Sequence, residues 1–441
     1  MGRRKLDTDK IVLDLILTQD LATKHKIGKK IFKIAYKNGI YPSSINDLYL
    51  ARGRGECSGF TVPAINLRTL TYDLAKAIFR VAKKNNTANF IFEIAKSEIG
   101  YTDQPPIEYA GVCLAAAMKE GYKGPVFIQG DHFQVKAKAY KENPEKEVNG
   151  LKELIEESIH SGFYNIDIDS STLVDLDRRT TLQQQEDNFK VCAELTTFIR
   201  KSQPRGIMVS VGGEIGEVGH ENSKPEELHA YMKGYRRKLR KNYQGISKVS
   251  VQTGTSHGGV VLADGSIAEV KLDFDTLKTL SEIARKDYGM AGAVQHGAST
   301  LPEDMFHKFP EVETAEVHLA TQFQNMVYES KHFPTELKQK MYAYLNENLT
   351  SEKKEGETEE QFFYKTRKKA LGPFKKEIMG LSQEVRNQIA KEVEEKFDFL
   401  FKKLNNINNR ELIDKNITLK RGIIRKKKAI EEKVRDTEGD D

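Results

Sequence analysis

Three histidines carry the chemistry most easily read from this chain. They are His132 in Gln129-Gly130-Asp131-His132, His257 in Gly254-Thr255-Ser256-His257-Gly258-Gly259, and His296 in Gln295-His296-Gly297-Ala298-Ser299. Each ends an apolar run beside glycine. A set of three imidazoles leaves one coordination position open, the arrangement of a catalytic rather than a structural zinc. A lone histidine is more often a surface or hydrogen-bonded residue than a ligand, so the shared setting of the three is what favours a metal. They lie too far apart for one loop to present them all. A barrel of parallel strands gathers the ends of distant strands around one mouth, and that is the architecture these positions ask for.

Other polar residues repeat the placement. Asp131 precedes His132, Asp167 and Asp169 end another run, Glu214 follows the next, and His318 ends the last. Barrel interiors are otherwise expected to be apolar, so ionisable groups at run ends read as a catalytic rim. Asp131 could exchange a proton with a substrate hydroxyl or order the metal site; its ordinary alternative is a helix cap. Gly258, Gly259 and the stretch Gly297-Ala298-Ser299 let the backbone approach an anion and are candidate phosphate cradles. Glu217 and Glu221 lie on a glycine-bearing loop that could close over the mouth and carry a base. Otherwise they are solvated loop residues.

The positioning elements follow from periodicity. Short apolar runs at 61–66, 89–94, 125–130, 164–169, 206–211, 247–253, 290–295 and 314–319 alternate with stretches of helical spacing at 71–84, 151–161, 181–201 and 274–287. Such alternation predicts βαβ crossovers and a parallel sheet, and the eight runs match an α/β fold of the (β/α)8 TIM-barrel type. Residues 1–57 read as a helical lead-in, 58–330 as the catalytic barrel and 331–441 as a helical extension. In the extension, helices are expected at 338–348, 359–370, 381–404 and 417–435.

Composition sets the bounds. The 441 residues are 38% hydrophobic and 30% charged with a net charge of +6, a balance that does not call for nucleic acid. Three cysteines, odd in number and scattered, argue against a disulfide framework and for a reducing, cytoplasmic setting. Neither a leader nor a membrane-spanning run is expected.

Taken together, these motifs resemble the zinc-dependent class II fructose-bisphosphate aldolase family over about residues 58–330, with a weaker echo at Leu371-Gly372-Pro373-Phe374-Lys375. Thr61 to Asn66 is similar to its first strand, and Gln129-Gly130-Asp131-His132 to its His-x-Asp-His. Ile168-Asp169-Ser170-Ser171 is similar to Ile-Asp-Gly-Ser, and Glu214-Ile215-Gly216 to Glu-Leu-Gly. The His257 and His296 segments are similar to Gly-x-x-His-Gly and His-Gly-Gly-Ser.

The resemblance implies zinc, or another divalent ion, on His132, His257 and His296, stabilising an enediolate during reversible cleavage of a ketose 1,6-bisphosphate to dihydroxyacetone phosphate and an aldehyde. It implies Glu221 for proton transfer at carbon and Asp131 for the aldehyde oxygen. It places a second metal position at Asp169 and Glu214, admits a monovalent cation, and suggests a homo-oligomer.

Departures concern the substrate. Gln129 replaces a histidine, and His318-Leu319-Ala320-Thr321 replaces Asn-x-Asp-Thr. Thr321 remains for phosphate, and Lys96 could bind phosphate as a point charge. The alternatives are a tagatose-bisphosphate or other phosphosugar aldolase, a non-catalytic partner subunit of the same shape, and a metal-dependent hydrolase. The basic stretch 420–428 reads as a solvated helix or an oligomer contact.

Overall fold

The computed structural model describes residues 7–216, 221–254, 262 and 272–422. Nine strands are described: β1 Ile40–Ser43, β2 Val62–Asn66, β3 Ile91–Ala95, β4 Gly124–Gln134, β5 Asn165–Asp169, β6 Ser210–Glu214, β7 Lys248–Val251, β8 Ala293–Gln295 and β9 Glu316–Leu319. Strands β2 to β9 pair in sequence, all parallel, and β9 returns to β2. The eight-stranded ring is therefore closed, a (β/α)8 TIM barrel. The lead-in contributes β1, which pairs along Gly124 to Phe127 before β5 takes over the same strand edge.

Helices cross over between strands, including Thr71–Lys84, Pro106–Lys119, Pro144–His160, Glu186–Ser202, Pro225–Lys238 and Phe274–Lys286. Proline opens three of them, where a missing N–H costs nothing and a fixed φ suits the first turn. Their apolar faces pack on the outer wall of the sheet, where the main hydrophobic core sits.

Strand β6, the fifth of the ring, corrects the run expected at 206–211: it is Ser210–Glu214 and contains Gly212 and Gly213. A glycine pair looks like a turn, but here both side-chain positions are already filled. A Cβ on Gly212 would lie 2.3 Å from Asp167 Oδ1, and one on Gly213 2.5 Å from the Tyr231 hydroxyl.

The barrel interior also differs from the expected apolar filling. Glu93, Gln129, Asp167, Lys248, Glu316 and His318 are all buried within it. Lys248 Nζ donates to Gln129 Oε1 at 2.8 Å, Asp167 Oδ2 at 2.9 Å and Glu316 Oε1 at 2.5 Å. Gln129 Nε2 donates to Glu316 and Glu93, and the Tyr49 hydroxyl donates to Glu316. Buried ions cost several kcal/mol each unless paired and hydrogen-bonded, and this network supplies the partners. Burial alone would lower Lys248, but Asp167 and Glu316 outweigh it and hold its ammonium up.

Beyond β9 the described chain is helical, with Thr335–Asn348, Glu359–Thr366 and Gln383–Lys403 close to expectation. Of the helix expected at 417–435, residues 417–422 are described and are not helical; the remainder lies outside the described residues. The long helix lies on Thr71–Lys84, joined by Arg80 to Glu394 and by Lys84 to Asp398. Asn406, fully buried, accepts from Asn89 Nδ2 at 2.6 Å and donates to Thr61 O, covering the starts of β2 and β3. The lead-in and the extension meet at buried Glu108, which pairs with Lys24 of the one and with Lys375 of the other.

Candidate active site

Strand β4 places the first pair of site residues by an irregularity. Its register against β5 shifts between Gly130 and Phe133, and His132 adopts φ +38°. A bulge of this kind sends two consecutive side chains toward the same side. Asp131 reaches His318, while His132 reaches His296, Asp169 and Glu214. Gly130 makes the bulge feasible, because the Phe133 ring lies where its Cβ would be, at 2.4 Å.

His132 and His296 meet with ring centroids 4.1 Å apart and planes at 74°, His132 Nε2 facing His296 Nδ1. Each ring is held through its other nitrogen. His132 Nδ1 lies 3.3 Å from Asp169 Oδ2 and 3.4 Å from Glu214 Oε2. His296 Nε2 lies 3.1 Å from Ser250 Oγ. Metal-ligating histidines are ordinarily oriented in this way, through a polar partner on the far ring nitrogen. With Asp131 the two imidazoles offer three ligand atoms within 4.8 Å of one another, a donor set that fits a divalent cation. His132, Asp169 and Glu214 form a second such group, the position expected for another metal.

The electrostatics are those of a buried acidic mouth. Burial works against the His132 imidazolium, but Asp131, Asp169 and Glu214 outweigh it and push its pKa well up. Burial, reinforced by Asp169, raises Glu214 to about 7. Asp169 is equally buried, yet hydrogen bonds from His132, Ser171 and Gln134 hold it below the usual carboxylate range.

The remaining expected residues fall into three groups. At the rim, Gly297 adopts φ +68°, a left-handed turn that suits glycine, and starts the short helix Ala298–Thr300. Ser299 Oγ accepts from Ala320 N at 3.0 Å, tying the loops after β8 and β9. Thr321 opens helix Thr321–Glu329, and its Oγ1 accepts from Arg68 Nη1 at 3.4 Å.

Two residues are engaged elsewhere. Lys96 Nζ donates to Gln134 O at 2.9 Å and pairs with Glu147, and Glu221 is exposed and paired with Lys224 at 2.5 Å. His257, Gly258, Gly259 and Glu217 lie outside the described residues.

Sequence reasoning passed over Arg68, Glu93, Lys248 and Glu316. A signal existed for Glu93, a single charge inside the otherwise apolar run Phe90-Ile91-Phe92-Glu93-Ile94-Ala95.

The family model described as fructose-bisphosphate aldolase class-II matches residues 54–406. Among solved structures, a probable tagatose 6 phosphate kinase from Sinorhizobium meliloti 1021 aligns with TM-score 0.56 at 14% identity, over 78% of this chain and 97% of that one. Fructose-bisphosphate aldolase from Campylobacter jejuni aligns with TM-score 0.47 at 17% identity, over 84% and 97%. The YdjI aldolase from Escherichia coli K12 gives 0.43 and 14%, over 82% and 98%. The first likeness bears on the fold alone and agrees with the closed barrel. No curated protein matches the sequence.

Proposed function

The chain belongs to the class-II fructose-bisphosphate aldolase family, and on that premise we propose that it is a metal-dependent aldolase cleaving a ketose 1,6-bisphosphate, with fructose 1,6-bisphosphate the first candidate. The observation that carries the reading is the convergence of Asp131, His132 and His296 at one barrel mouth. The reading takes His257, which lies outside the described residues, as the third imidazole. A divalent ion held there, zinc in the first instance, would draw charge from the ketose carbonyl and ease loss of the neighbouring proton.

The chain's own residues do the rest. Asp131, buried beside both histidines, moves the proton at the aldehyde oxygen that becomes a hydroxyl. Glu221, carried on the loop after β6, takes the proton from carbon once that loop closes and excludes water. Ser299 accepts from Ala320 N, which leaves its own proton to donate to phosphate. Thr321, at a helix start, and the backbone of Gly297 serve the anion site; the reading adds Gly258 and Gly259, which lie outside the described residues. Lys96 reaches phosphate by exchanging its pair with Glu147. Asp169 and Glu214 orient His132 and supply the second metal position.

The reading further takes 58–330 as the catalytic unit, a homo-oligomeric assembly, and a place in cytoplasmic sugar metabolism. Buried free thiols at Cys113 and Cys192 support a reducing compartment, and no helix of the described residues is long and apolar enough to cross a membrane. One observation favours a second reading, a non-catalytic partner subunit: the buried His318 occupies the strand end where the family pattern has an amide.

An aldol-cleavage assay on fructose and tagatose bisphosphates with added zinc separates the two. Cleavage that is lost on chelation and in His257→Ala, with the fold intact by circular dichroism, supports the enzyme. Turnover that survives thorough chelation rules the metal mechanism out.

A further inference from the structure

Ser299 and Thr321 offer an anion hydroxyls and a helix start, but no charge, and the mouth beside them is acidic, with Asp131, Asp169 and Glu214 converging there. A phosphate dianion near those carboxylates needs a fixed cation close by. Lys96 is turned to Glu147 and Gln134 O. A guanidinium stands nearer. Arg68 follows β2, two residues beyond Asn66, and its side chain is only 11% exposed.

Glu98 fixes the direction of this side chain. Arg68 Nε pairs with Glu98 Oε1 at 2.7 Å. Glu98 Oε2 accepts from Ala95 N at 2.7 Å and from Asn66 Nδ2. A buried carboxylate engaged at both oxygens cannot swing away, so the planar fork of Arg68 is held in one orientation. Its other arm crosses to the loop after β9, where Nη1 donates to Gln324 Oε1 at 3.2 Å and to Thr321 Oγ1 at 3.4 Å. Both acceptors are neutral, and both bonds lie at or beyond the long end of the usual range. A phosphate oxygen would take the same N–H in a charge-assisted bond, shorter and roughly twice as strong.

The loop that Nη1 reaches is the one that carries the anion site. Thr321 opens helix Thr321–Glu329, and Ala320 N donates to Ser299 Oγ. Ala320 also brings no carboxylate to compete for the guanidinium, whereas the family pattern has an acid at that place.

We propose that Arg68 is the phosphate-binding cation of this site, receiving the phosphate of the dihydroxyacetone phosphate half against Ser299 and Thr321. On binding, Nη1 exchanges Thr321 and Gln324 for a phosphate oxygen while Nε stays on Glu98. Arg68 thereby selects phosphorylated ketoses over free ones. The role rests on the aldolase reading and names the residue that makes the phosphate a requirement.

Calorimetric titration of the zinc-loaded full chain with dihydroxyacetone phosphate and with dihydroxyacetone tests it. Loss of one charge-assisted bond corresponds to about tenfold to a hundredfold in affinity. Arg68→Gln should weaken dihydroxyacetone phosphate by about that factor and leave dihydroxyacetone, zinc content and the circular dichroism spectrum as in wild type. Equal weakening of both ligands would make Arg68 only a support for Glu98 and overturns the proposal. So does an unchanged affinity for the phosphate.

Should Arg68→Gln not fold, Arg68→Lys keeps a charge beside Glu98 but not the fork, and the same selective loss is expected; wild-type binding of both ligands by that variant overturns the role. If Arg68→Gln cleaves fructose 1,6-bisphosphate with wild-type kinetics, Arg68 is dismissed and the aldolase reading stands. If wild type cleaves no bisphosphate yet binds inorganic phosphate, and Arg68→Gln does not, the aldolase reading falls and the anion role of Arg68 stands.

Discussion

His318 lies stacked on His296, ring centroids 4.1 Å apart and planes 18° from parallel. His296 is thus held on its face by one neighbour and at Nε2 by Ser250. Orientation of a ligating imidazole by an outer partner contributes about tenfold to a hundredfold in metal affinity or activity. Ser250→Ala should therefore weaken metal binding by about that factor without unfolding the barrel. Calorimetric titration with zinc is the check, and an unchanged affinity would remove Ser250 from the site.

Gly212 stands where the interior ion pair needs room. A Cβ there would lie 2.3 Å from Asp167 Oδ1 and 3.0 Å from Lys248 Cε. Neither neighbour can swing aside, since each is buried and engaged by the other. Gly212→Ala should cost about 1–3 kcal/mol, the usual range for overpacking, read as a lower midpoint in urea unfolding. A midpoint equal to wild type would mean that the network yields more easily than its geometry indicates.

Asp398 gives the extension an acid limit. Although burial would raise its pKa, hydrogen bonds from Asn85, Lys402 and Lys84 bring it from 3.8 to about 2. A carboxylate depressed in this way contributes stability above pH 3.8, lost as pH falls through about 2. Its lysine partners Lys84 and Lys402 are largely exposed, so screening limits the effect to about 1 kcal/mol or less. Asp398→Asn should match wild type at the acid end of that window and fall below it at neutral pH. Paired unfolding curves test this, and a gap that does not close on acidification contradicts it.

Glu221 is expected to matter for proton transfer at carbon. In Glu221→Ala, exchange of the dihydroxyacetone phosphate proton with solvent should slow strongly while metal content stays unchanged. Exchange at the wild-type rate would assign that step to another group.

Much of the barrel was legible because its outer wall obeys simple rules. Helix Thr71–Lys84 matches the stretch read from its apolar spacing, and seven of the eight barrel strands overlap the runs read for them over half or more of the run. His132 and His296 were readable because glycine beside a strand-end histidine marks a tight approach. The interior was not. Period-two alternation distinguishes inside from outside only when the inside is apolar, and Glu93, Asp167, Lys248 and Glu316 point inward from strands whose other face is the hydrophobic one. Their charges are tolerable only because partners from distant strands arrive, and no local pattern announces that. The run expected at 206–211 stops short of Gly212 and Gly213, whose side-chain space is used by Asp167 and Tyr231.

The meeting of Lys24 and Lys375 on Glu108 has a bearing on biosynthesis. Burial raises the Glu108 pKa, and the two ammonium groups oppose that rise. A ribosome delivers Lys24 early and Lys375 only after every strand of the ring has emerged, so the flank of the nascent barrel waits half-neutralised for its last segment. Proteolytic loss of the extension from before Lys375 would return the wall to that immature condition, with Glu108 left to Lys24 alone.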